Sequence, residues 1–80
     1  MNQQDARAAV QAAIGQVAPD VEPGDLVDGA RLRQDLELDS LDFLRLVESI
    51  AGSTGVDIPE QDYPTVATVG GLVEYVAAHA

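Results

Sequence analysis

The sequence predicts an all-α fold, an irregular four-helix up-and-down bundle with a long first loop and a short third helix. Three observations carry this. Apolar residues recur every three or four positions in three separate stretches, while strictly alternating β-branched runs are absent. All four prolines fall between those stretches. The chain has no cysteine, so a fold of this size must hold itself together by regular packing rather than by a disulfide or thiolate staple.

From Asp5 onward, Ala6, Ala9, Val10, Ala13, Ile14 and Val17 line one face of a first helix, which Pro19 ends and for which Asn2 or Asp5 can serve as cap. Gly15 weakens its last turn by about 1 kcal/mol relative to Ala. Residues 19 to 38 then form a long connection containing Pro23, Gly24 and Gly29. Its apolar members Val21, Leu26, Val27, Leu32 and Leu36 predict that it packs, and the Leu32/Leu36 spacing permits a short helical turn.

The second helix is expected from Ser40 to Thr54, with Asp39 as N-cap and Asp42 at N3 in a variant capping box. At about 100° per residue, Phe43, Leu44, Leu46, Val47, Ile50 and Ala51 share a broad arc facing the core. Asp42, Arg45, Glu48 and Ser49 face the other way, with Leu41 standing among them. Gly55 has the place and chemistry of a helix-ending residue, and Val56 and Ile58 bracket Asp57 in an extended link. Pro59 to Tyr63 reads as one short helical turn with Pro59 at N1, which Pro64 stops. Thr68 caps a final helix that turns Val69, Leu72, Val73 and Val76 inward and leaves His79 at a frayed, solvated end.

The 80 residues are expected to form one monomeric domain, 1–80, with 46% apolar residues, ordinary for a globular chain. Fourteen acidic residues face four arginines and no lysine, giving a net charge of −10. Nucleic acid and anionic membrane repel such a chain, so neither is an expected partner. Basic protein surfaces and divalent cations suit it. The amino terminus, Met1-Asn2-Gln3-Gln4-Asp5, is not basic then apolar, and no transmembrane run is present; a cytoplasmic location is the expectation.

Enzyme chemistries lack their parts, and the chain is expected not to be an enzyme. A nucleophilic Ser40 would need a positioned base, and the one histidine, His79, is the penultimate residue. The acids fall on outward faces rather than converging as a hydrolytic pair. Asp25 to Gly29 lacks the ligand spacing of a calcium loop, and there is no glycine-rich phosphate loop. No metal site is expected.

What remains is Asp39-Ser40-Leu41-Asp42 in a wider frame: Leu32-Arg33-Gln34-Asp35-Leu36-Glu37-Leu38 before it and Leu46-Val47 after it. Ile58-Pro59 follows 18 and 19 residues after the serine, and Thr68-Val69 and Tyr75 complete the pattern without a gap. This arrangement resembles the acyl carrier proteins over essentially the whole chain. The resemblance implies a non-catalytic carrier with a 4′-phosphopantetheine arm, derived from coenzyme A, on Ser40, flanked by the motif residues Asp39 and Leu41. It implies two kinds of partner: a phosphopantetheinyl transferase, and acyl-loading and acyl-processing enzymes of fatty acid, polyketide or related specialised biosynthesis that dock through basic surfaces. Leu41, Asp42, Arg45 and Glu48 are the implied partner-binding residues.

The chain departs from the family's usual pattern at two of them. Arg45 stands where an acid is common and Glu48 where an apolar residue is common, which points to a specialised stand-alone carrier. Two rivals remain. A peptidyl or aryl carrier domain typically has glycines just before the serine-bearing turn, where this chain has Leu36-Glu37-Leu38. An acidic helical adaptor that binds a basic protein would carry no cofactor at all.

Overall fold

Helix α1 (Gln3–Val17) begins where the Asn2 side chain accepts a hydrogen bond from Asp5 N–H at 2.7 Å, so Asn2 rather than Asp5 is the cap. The computed structural model describes residues 1–80, with α2 at Ser40–Thr54 and α3 at Val69–His79. A 3₁₀ segment, Glu60–Val66, takes the place of the short third helix, and a single 3₁₀ turn, Pro23–Asp25, lies inside the long connection. α1 packs on both α2 and α3, and the 3₁₀ segment packs on α3. The expected bundle is the one observed.

Twenty-one residues are buried and none is charged. Ala6, Val10, Ala13 and Ile14 of α1 meet Leu46 and Ile50 of α2 and Leu72, Val73 and Val76 of α3. Burial of these faces, not helix propensity, holds fifteen- and eleven-residue helices in water.

The connection from 19 to 38 is stitched down along its second half. Leu32 N–H donates to the Ala67 carbonyl at 2.9 Å, Val69 N–H to Ala30 at 3.0 Å and Gly70 N–H to Asp28 at 2.9 Å. Arg7 of α1 pairs with Asp28 at 2.8 Å. Leu26, Leu32 and Leu36 are buried and Val21 is half-buried, as expected, but Val27 is 61% exposed. The Ala30 N–H bond to the Val27 carbonyl closes a tight turn that lifts the Val27 side chain off the core. Between Leu32 and Leu36 the chain makes a single helical turn, closed by Asp35 N–H on the Arg31 carbonyl at 2.9 Å; it goes no further, because Leu36 N–H returns to the same carbonyl at 3.1 Å.

Two further expectations need correction. Pro59 caps the 3₁₀ segment from outside, and Pro64 lies within it instead of ending it. The 3₁₀ ladder tolerates this because proline's fixed φ matches its geometry and the clash with the carbonyl four residues back is a problem of the α-helix. The segment ends where Val66 enters the core and α3 begins. There Gly71 is required: a Cβ would sit 2.5 Å from the Thr65 carbonyl oxygen. Gly55, at φ +76°, ends α2 as expected.

Candidate functional site

Ser40 is the first residue of α2, and its exposure follows from what comes before it. Leu36 and Leu38 are buried, and Leu38 N–H donates to the Leu32 carbonyl at 3.2 Å. These anchors pull the chain into the body of the protein and release it at Asp39. Between them Glu37 adopts φ +59°, the left-handed region, and this reverses the chain toward the helix. Arg31 fixes the start of the turn. Its Nη2 meets Asp35 Oδ1 at 3.1 Å, while its Nε and its backbone N–H donate to Asp35 Oδ2 at 3.2 and 2.8 Å. Hydrogen bonding to the Arg31 side chain and then to its backbone holds the Asp35 carboxyl below the usual carboxylate range, while Asp35 raises the Arg31 guanidinium in turn.

Asp39 caps α2 through an acceptor contact of 2.8 Å from Asp42 N–H, and Asp42 Oδ2 accepts from Asp39 N–H at 3.3 Å. The expected capping box is therefore formed. It occupies both carboxylates with backbone, leaving the serine side chain free of them. The Ser40 hydroxyl has one protein contact, from Arg33 Nη2 at 3.1 Å. Arg33 stands in the sequence frame before the serine, but no local pattern gives it a role there. It lies seven residues away, across a turn whose path no local pattern specifies.

Leu41, Arg45 and Glu48 are exposed on one stripe of α2, as expected, and Leu41 is 57% exposed. Leu44 joins them at 44% exposure, a correction to its expected place in the core. Its angular position explains this. At about 100° per residue it lies about 60° from Leu41 but about 100° from Phe43, beyond the edge of the arc that α1 and the 3₁₀ segment cover. Asp42, tied into the cap, is half-buried. Ser49 is half-buried too, not outward-facing, and its hydroxyl donates to Gln16 of α1 at 2.9 Å. Arg45 takes part in neither of the two ion pairs.

A recess of about 250 Å³ lies beside this stripe, lined by Leu32, Arg33, Phe43, Tyr63, Pro64 and Ala67. Phe43 and Tyr63 meet edge to face across it at 5.0 Å and tie α2 to the 3₁₀ segment. A larger, open groove of about 560 Å³ follows the long connection among Asp20, Gly24, Val27 and Glu37. It excludes Ser40, and its acidic lining suits water better than an apolar chain.

His79 is exposed but not simply solvated. Its ring stacks on Tyr75 at 3.9 Å, and its Nδ1 lies 2.8 Å from the Tyr75 carbonyl. Its hydrogen bond is to its own helix, while the Ser40 hydroxyl is met by Arg33.

A family model described as a phosphopantetheine attachment site matches residues 8–76. An acyl carrier protein of Lactobacillus johnsonii is 40% identical over 47 residues, 59% of this chain and 59% of that relative's length. An acyl carrier protein of Rubrobacter xylanophilus is 34% identical over 59 residues, 74% of this chain and 73% of its own. The solved structure of an acyl carrier protein from Enterococcus faecalis matches over 100% of both chains with a TM-score of 0.78 at 22% identity, a likeness of fold.

Proposed function

The chain belongs to the acyl carrier family with its phosphopantetheine attachment site, and on that premise we propose that Ser40 is the residue that carries the arm. Members of the family are non-catalytic carriers with a covalently attached 4′-phosphopantetheine. The observation that carries the assignment is the exposed Ser40 hydroxyl at the first turn of α2, with Asp39 and Leu41 beside it and no carboxylate occupying it.

The residues present fit the group. A primary alcohol on the outside of a rigid helix start is open to an external transferase, and the capping box fixes the backbone that presents it. In the attachment step the Ser40 oxygen forms a bond to the pantetheine-bearing phosphorus of coenzyme A. The pyrophosphate bond breaks, 3′,5′-ADP leaves, and the hydroxyl proton passes to a base of the transferase. Once bound, the arm supplies a terminal thiol that holds acyl groups as thioesters.

The chain's own residues present the arm to partners and offer shelter. Phe43 and Tyr63 make the recess between α2 and the 3₁₀ segment apolar enough to cover part of an acyl chain. Leu41 and Leu44 supply apolar contact to a docking enzyme, and Asp42, Arg45 and Glu48 supply charge. Arg45, unpaired within the helix, interrupts an acidic face that basic partners would read. This supports a specialised carrier whose dedicated partner places an acid opposite Arg45, in polyketide or related biosynthesis more than in general fatty acid synthesis.

Incubation with coenzyme A and a broad-range phosphopantetheinyl transferase, read by intact mass, tests the carrier assignment. The expected result is the gain of one arm. A chain that stays unmodified while binding a basic protein would instead be an acidic adaptor.

A further inference from the structure

The side chain that touches the Ser40 hydroxyl carries a charge with no assigned use. Arg33 Nη2 donates to Ser40 Oγ at 3.1 Å, and Arg33 belongs to neither ion pair of the chain. Glu37, Asp39 and Asp42 all lie within three residues of Ser40 in the chain. A phosphodiester at Ser40 would add a further negative charge to this neighbourhood.

The helix start is poorly placed to absorb that charge. The Asp42 N–H, one of the first-turn donors, is already taken by Asp39. The carboxylates of the capping box also offset the positive end of the helix dipole. Arg33 is the cation already in contact with the oxygen concerned.

Resting on Ser40 as the attachment residue, we infer that Arg33 is the phosphodiester-binding residue of the loaded protein. Esterification turns the hydroxyl oxygen into a weaker acceptor and places two oxygens that share one negative charge on the phosphorus bonded to it. The guanidinium turns from the first to the second, and its planar fork suits both oxygens where a lysine would offer a point charge. Arg33 also lines the recess between α2 and the 3₁₀ segment, so it ties the start of the arm to the recess side of the helix.

The test compares unloaded and loaded forms of wild type, Arg33→Gln, Arg33→Lys and Arg7→Gln, with loading verified by intact mass. Arg7→Gln removes an equal charge from a residue paired with Asp28. The readouts are the change in melting temperature on loading, at low salt, and the ³¹P chemical shift of the phosphodiester. Relative to wild type, loading should lower the melting temperature of Arg33→Gln by about 2–5 °C, the size expected of one exposed charge-assisted pair in a domain this small. The ³¹P line should move in the same variant. Arg33→Lys should recover part of the thermal effect, and Arg7→Gln should respond to loading like wild type. An equal thermal response and an unmoved ³¹P line in Arg33→Gln would overturn the role of Arg33 while leaving Ser40 in place. A wild type that takes no arm, or a Ser40→Ala variant that does, would overturn the attachment site itself and Arg33's role with it.

Discussion

The Tyr75 hydroxyl donates to Asp62 Oδ2 at 2.8 Å, joining α3 to the 3₁₀ segment. Hydrogen bonding to Asp62, then burial, raises the phenol above its ordinary value. A group whose folded value is raised contributes stability that is complete below its unfolded pKa, about 10 for tyrosine, and lost as pH climbs through the folded value. Melting temperature should therefore fall on the alkaline side from about pH 10 upward. Tyr75→Phe and Asp62→Asn should each flatten that limb, as thermal melts across the alkaline range will show. The Arg31–Asp35 pair acts at the opposite end. Asp35 is held low, so its contribution is present above the usual carboxylate range and fades as pH falls through the lowered value.

Glu37 is the one non-glycine residue with positive φ, at +59°. The left-handed conformation costs a residue with a Cβ about 1–2 kcal/mol, while glycine gives back about 0.5–1 kcal/mol through its freer unfolded chain. Glu37→Gly should therefore stabilise the fold by about 0.5–1 kcal/mol, a few degrees of melting temperature. Glu37→Val should lower it. Chemical denaturation of both variants decides the point, and a Glu37→Gly protein no more stable than wild type would show that the turn carries no strain.

Local chemistry was legible in the sequence. The Asp39/Asp42 box, the Gly55 stop and the Thr68 cap each depend on residues within four positions of one another, and each formed as its residue types require. What was not legible depends on tertiary path. Leu44 sits at the margin of an apolar arc, and what decides its exposure is how far the neighbouring elements reach around α2. The Ser49–Gln16 bond spans 33 residues and the Arg33–Ser40 contact crosses a turn fixed by the left-handed Glu37. Pro64 reads as a helix stop by the rules of the α-helix and fails to be one because the segment is 3₁₀.

With net charge −10 and two ion pairs, most of the acids stand without a cationic partner. Asp35 is compensated by Arg31, but Glu37, Asp39 and Asp42, and again Asp57, Glu60 and Asp62, are not. Melting temperature should rise with added salt and further with millimolar magnesium or calcium, without a stoichiometric tight site. A flat response from low to moderate salt would show that these acids are too dispersed to repel.

Arg45 tests the choice of partner. Exposed pairs are worth about 0.2–1 kcal/mol, so reversing one charge should swing docking by about 1–2 kcal/mol, roughly ten-fold in affinity. Arg45→Glu should improve recognition by general fatty-acid enzymes and by a broad-range transferase, mostly in the association rate and mostly at low salt. Steady-state loading kinetics at low and high salt measure this. Equal rates at low salt would reduce Arg45 to a solvated helix residue.

The most direct measurement is the loading of Ser40→Ala beside wild type, followed by intact mass and by peptide mapping of the modified residue. The substitution should cost little stability, because Asp39 provides the cap and alanine favours the helix. Wild type should gain a single arm on the peptide containing Ser40, and Ser40→Ala should gain none while melting close to wild type. An arm that still attaches to Ser40→Ala, at Ser49 or Ser53, would contradict the assignment of Ser40.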